Sequence, residues 1–126
     1  MIGNKDLMEL YSYKDRDTSI NQLLELLKTP NMEFVKNLHD FQLDINKLSE
    51  DEKVFLTIAA TLIDYVLNKH NLTLPEWVND SELKFTEKFF YSKRISREER
   101  LRLLNSAPES FRKRNVFFDL NSITRI

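Results

Sequence analysis

The stretch Ser49–His70, SEDEKVFLTIAATLIDYVLNKH, decides the fold. It opens on a serine followed three residues later by Glu52, the spacing at which a hydroxyl and a carboxylate exchange hydrogen bonds with the free amides of a helix start. Glu50, Asp51 and Glu52 also place negative charge where the helix dipole is positive. From Val54 to Leu67 apolar side chains fall on nearly every face, the pattern of a helix surrounded by others. Thr57, Thr61 and Asp64 interrupt that run, which is too short to cross a bilayer. Lys69 and His70 suit a C-terminal turn, with Asn71 and Pro75 beyond it. The expectation is a central buried helix over about 49–69.

Upstream, Phe34, Leu38, Phe41, Ile45 and Leu48 recur at steps of four, three, four and three, which predicts one helix over about 31–48 with a single apolar face. That face could equally serve an intramolecular core or a dimer seam. Leu23, Leu24, Leu26 and Leu27 mark a preceding helix over about 19–28, cut off by Pro30 and Asn31, and Ser19 with Gln22 has capping-box spacing. Two helices with a short break invite comparison with a helix–turn–helix DNA reader. The break here is Thr29-Pro30-Asn31 without the usual glycine, and the second helix carries Glu33, Asp40 and Asp44 against Lys36 and Lys47, which argues against DNA reading.

Downstream of Pro75 the periodicity weakens. Trp77, Phe85, Phe89, Phe90 and Tyr91 predict a short helix at 75–79, then irregular structure or another short helix whose aromatics pack on the bundle. Ser96 and Glu99 form a second capping box that opens a helix through about Ser106, and Pro108 starts a further turn. The ending NVFFDLNSITRI has the composition of a strand or a docked tail, but a single strand has no visible partner. The fold expected is all-α: one helical domain over 1–126, with a loosely ordered start at 1–17, a helical core at 18–70 and an aromatic, arginine-rich part at 71–126.

Composition removes several function classes. The single glycine, Gly3, excludes glycine-rich phosphate loops, and the absence of cysteine removes disulfides, thiolate metal sites and cysteine nucleophiles. The start MIGNKDLMEL lacks a basic segment followed by about 7–15 apolar residues, so a cytoplasmic location is the default expectation. His39 and His70 stand far apart with no second histidine or cysteine near either, and no metal or other cofactor is expected. Carboxylate pairs such as Asp40 and Asp44 occur routinely on solvated helix faces, and no serine sits in a nucleophile elbow, so no catalytic residue is nominated.

Charge is unevenly divided. Residues 92–126 hold nine basic and four acidic side chains, about +5, against about −6 for the rest, and seven of the chain's eight arginines lie there. Arginine forks suit carboxylates and phosphates. Three readings stay open for this segment: internal pairing with the chain's own acids, contact with an acidic protein, and contact with a nucleic-acid backbone. The overall pI of about 6.1 speaks against a dedicated nucleic-acid binder.

One further pattern covers about residues 74–126: Leu74-Pro75-Glu76-Trp77-Val78, Phe89-Phe90, Arg100 with Leu103-Leu104, Ala107-Pro108, and Phe111-Arg112-Lys113-Arg114-Asn115-Val116-Phe117, followed by Leu120 and Arg125. It resembles a group of uncharacterised bacterial and phage-element proteins with a PEWV segment and an AP-x-x-FRxRN-[IV]-F ending, often encoded beside nucleotidyltransferase-like proteins in toxin–antitoxin-like arrangements. Some of them carry a DNA-binding region ahead of this ending, which residues 1–73 here do not show. The resemblance implies a protein partner, with Arg112, Lys113, Arg114 and Asn115 matching its most recognisable motif; a clamp tying the tail to the bundle is the alternative role for those four. Together with Arg97 and Arg100 they form the candidate partner-binding set. The functional expectation is a non-enzymatic interaction protein of antitoxin type that restrains a co-encoded nucleotidyltransferase-like enzyme. The alternative is a nucleic-acid-associated accessory or regulatory protein using the basic segment.

Overall fold

The computed structural model describes Leu7, Tyr11 and residues 15–91 and 95–118. Expectations for the loosely held start, and for Leu120 and Arg125 of the ending, lie outside the described residues. The chain is mainly helical. α1 spans Arg16–Lys28, α2 Met32–Asp40, α3 Glu50–Lys69, α4 Arg97–Ser106 and α5 Glu109–Arg112; short 3-10 turns occupy Ile45–Lys47 and Glu76–Asn79, and two strands cover Phe89–Phe90 (β1) and Val116–Phe117 (β2). Among the described residues no helix is long and apolar enough to cross a membrane.

α3 is the central element, as its sequence requires. Both arms of the capping box form: Ser49 Oγ accepts the Glu52 amide at 3.2 Å, and the Ser49 amide donates to Glu52 Oε1 at 2.8 Å. From Phe55 to Leu67 every residue is buried except half-buried Tyr65. Two of the interrupting polar groups are satisfied within the helix, Thr57 Oγ1 donating to Lys53 O at 2.7 Å and Thr61 Oγ1 to Thr57 O at 2.9 Å. The helix ends at His70, and Asn71 turns out of it at φ 58°, a left-handed conformation asparagine tolerates. α1 packs along α3 through Ile20, Leu23 and Leu27, all fully buried in the same core. It starts a turn earlier than Ser19: Asp15 caps it by accepting the Thr18 amide at 2.7 Å, and Ser19 is buried with its hydroxyl on Asp15 O.

The single helix expected over 31–48 is two pieces. Asn31 caps α2, accepting the Phe34 amide at 2.7 Å, but the helix stops at Asp40 and Phe41 is already extended. The cause lies on another part of the chain. Trp77 Nε1 donates to Leu38 O at 2.8 Å and so satisfies a carbonyl left open by the helix end, while Phe41 turns edge-on to the Trp77 ring at 5.1 Å. Half-buried Phe41 and Leu43 then alternate with exposed Gln42 and Asp44 on the way to the 3-10 turn that begins at half-buried Ile45.

The all-α expectation also meets a correction at the C-terminal part, because the strand does have a partner. β1 and β2 pair in parallel with Phe89 opposite Val116 and Phe90 opposite Phe117. Backbone bonds extend the match, from the Phe85 amide to Arg114 O (2.9 Å), the Phe89 amide to Asn115 O (2.8 Å) and the Tyr91 amide to Phe117 O (2.9 Å). Stacked rings reinforce it: Phe90 on Phe117 at 5.2 Å and Tyr91 on Phe118 at 4.6 Å. Parallel strands need a crossover, and α4 and α5 lie in it.

Trp77→Phe tests the role of the indole. It keeps an aromatic ring but a smaller one and removes one donor, leaving Leu38 O without that partner, and should lower unfolding stability by about 1–3 kcal/mol in urea titration with the fold retained.

Candidate functional site

The FRKRN motif follows the Pro108 turn: Phe111 and Arg112 close α5, residues 113–115 turn, and β2 begins at Val116. Arg112 is exposed and its Nη2 reaches back to Asn105 O at 3.2 Å and Leu104 O at 3.5 Å, placing a cation at the C-terminal end of α4. Lys113 Nζ lies 2.9 Å from Asp64 Oδ2 and 3.4 Å from Asn79 Oδ1. Arg114 is 3% exposed, and both of its terminal nitrogens are engaged inside the chain. Nη1 donates to Asp64 Oδ2 at 2.7 Å and to Ser110 O at 2.9 Å, and Nη2 donates to Val78 O at 2.6 Å. Asn115 sits at φ 59° and donates from Nδ2 to Phe85 O at 2.8 Å.

This accounts for the third polar residue of α3. Asp64 is 2% exposed and cannot be satisfied from its own backbone as the threonines are. It takes Arg114 and Lys113 on one oxygen and Asn68 Nδ2 on the other. A buried carboxylate without such partners would carry a desolvation cost of several kcal/mol. Arg112, Lys113, Arg114 and Asn115 thus tie α4, the 3-10 turn at 76–79, α3 and β1 to one another.

The other two singled-out residues, Arg97 and Arg100, stand apart on α4. Ser96 caps that helix, accepting the Glu99 amide at 3.1 Å, and Arg102 pairs with Glu99 at 2.7 Å. Of its ten residues only Leu103 is buried. Arg97, Arg100, Leu101 and Leu104 recur at the spacing of one helix face. Arg97 and Arg100 are exposed and make no ion pair among the described residues, although the Arg100 guanidinium lies 5.6 Å from the Phe90 ring centre. Leu101, one turn on from Arg97 on the same face, is 52% exposed. Two forks beside an apolar knob can grip carboxylates while covering hydrocarbon, a combination suited to a protein surface.

A second feature escaped the sequence reading. An open groove of about 600 Å³ runs between the end of α2 and the 3-10 turn, with His39, Phe41 and Leu43 on one side and Glu76, Trp77 and Asp80 on the other. His39 Nε2 lies 2.9 Å from Thr73 O, which links its two sides. Neither the Glu76 nor the Asp80 carboxylate has an ion-pair partner among the described residues; Asp80 Oδ1 accepts the Glu82 amide at 2.9 Å. The signal in the sequence was Glu76 and Asp80 bracketing Trp77, whose position against Phe41 no local pattern discloses. Among the described residues no group of three or more histidines and carboxylates is placed to hold a metal ion.

Removing one member of the buried pair should be severe. Asp64→Leu and Arg114→Met should each cost about 3–5 kcal/mol in chemical denaturation, and the double replacement should cost clearly less than the two singles added together. Arg112→Ala, at an exposed site, should cost no more than about 1 kcal/mol.

Compared with protein-family models, with curated proteins and with solved structures, the chain matches none.

Proposed function

We propose that this chain is a non-enzymatic interaction module of antitoxin type, acting in the cytoplasm, that restrains a co-encoded nucleotidyltransferase-like enzyme through the exposed face of α4. The observation that carries the reading is α4 itself, a ten-residue helix that buries one side chain and presents Arg97 and Arg100 beside half-exposed Leu101. A helix of that length is marginal alone in water, and burying its open face against a partner would add what its own chain does not supply. The resemblance of the ending to proteins encoded beside nucleotidyltransferase-like enzymes supports the choice of partner. Arg112, Lys113, Arg114 and Asn115 then hold α4 in place, and Arg97 and Arg100 make the contact.

Co-expression with the product of the neighbouring gene, followed by size exclusion after nuclease treatment, tests this. A single co-eluting peak is expected, with Arg97→Glu plus Arg100→Glu weakening the complex at least tenfold while leaving the circular dichroism spectrum unchanged. Two separate peaks would overturn the reading. Retention of nucleic acid instead, with affinity falling steeply between low and moderate salt, would replace it with the phosphate-binding alternative.

A further inference from the structure

Two surfaces of this chain complement each other, and among the described residues no ion pair joins them within one copy. α4 offers two guanidinium groups next to Leu101, and the groove beside Trp77 offers two carboxylates, Glu76 and Asp80, next to the half-buried apolar side chains of Phe41 and Leu43. All four charged groups lack an ion-pair partner among the described residues, and what sets Glu76 and Asp80 apart from other open acids is that both line the groove beside Phe41 and Leu43. We propose that the groove receives the α4 face of a second copy of this chain, with Leu101 against Phe41 and Leu43 and the arginines paired with Glu76 and Asp80.

Three considerations carry the choice of occupant. Charge matches in number and sign, two forks to two carboxylates, and arginine is suited to partly desolvated contacts of this kind. Scale matches, since about 600 Å³ lies within the range that seats a compact group of side chains or a small ligand. Each copy also carries both halves, so a two-fold pair uses the contact twice, which lets a small patch hold a dimer. The α4 face is the one assigned above to the partner enzyme, so enzyme and second copy compete for it. The self-pairing does not rest on that assignment, because it is a property of the chain alone.

Light scattering on the purified full-length chain, over a range of concentrations and at low and high salt, tests the proposal. The expected result is a dimer at low salt that dissociates as salt screens the pairs. Arg97→Glu plus Arg100→Glu, and separately Glu76→Lys plus Asp80→Asn, should each weaken the dimer at least tenfold; asparagine keeps an oxygen for the Glu82 amide. Mixing the two variants should restore a dimer, since each lost surface then meets a complementary one. All four positions lie at the surface, and circular dichroism should match the unaltered chain. A monomer at every concentration, association indifferent to both pairs of substitutions, or failure of the mixture to recover would overturn the proposal. Enzyme binding separates it from the preceding reading, because Glu76→Lys plus Asp80→Asn should weaken self-pairing at least tenfold and leave the α4 contact with the enzyme intact.

Discussion

Asp64 lies on the most buried helix of the chain, and its carboxylate is closed off from water by Arg114, fifty residues further along. Most of the C-terminal architecture follows from that one ion pair. Once Arg114 is fixed to Asp64, Ser110 O and Val78 O, the turn at 113–115 has one placement, Asn115 is presented to Phe85, and β2 meets β1 in a single register. Hydrophobic packing alone would not select that register, since Phe89, Phe90, Phe117 and Phe118 are near equivalents in size and chemistry. A charged pair gains little net energy from burial but is costly to break, and here that cost singles out one arrangement of the tail.

The same pair redistributes the chain's charge. Of the basic residues concentrated after position 91, Lys113 and Arg114 converge on Asp64, Arg102 leans on Glu99 and Arg112 faces the end of α4. Among the described basic residues after position 91, Arg97 and Arg100 are the exposed arginines that neither an acid nor a backbone carbonyl of the chain holds. A segment that reads as uniformly basic in one dimension is therefore an internal clamp followed in space by a small exposed patch.

The sequence was most readable where structure is local. Ser49 with Glu52, the all-round apolar run from Val54 and the Ser96 cap each report interactions within a turn or two, and the helices they predict are present. It was misleading where a distant group decides. The step pattern Phe34-Leu38-Phe41-Ile45-Leu48 is a sound helical period, yet Trp77 takes the Leu38 carbonyl and Phe41 leaves the helix to pack on the indole. The strand at Val116 looked unpaired because its partner, Phe89–Phe90, is separated from it by two helices and is itself only two residues long. Within the candidate site, residue type alone did not distinguish Arg114 from Arg97: both are arginines in a basic stretch, and only burial separates the one that holds the fold from the one that faces solvent. Glu76 and Asp80 were legible as acids, but the groove that unites them with Phe41 exists only after α2 has been cut short.

The distance between Asp64 and Arg114 also sets an order of events during synthesis. At about 5–20 residues per second, the arginine is made roughly 3–10 s after the aspartate it will neutralise. Over that interval α3 can gather α1 while Asp64 keeps its hydration. Closure of the core is then gated by the arrival of one side chain, and a nascent chain stalled short of residue 114 presents the Asp64 flank of its central helix as a wet, acidic face.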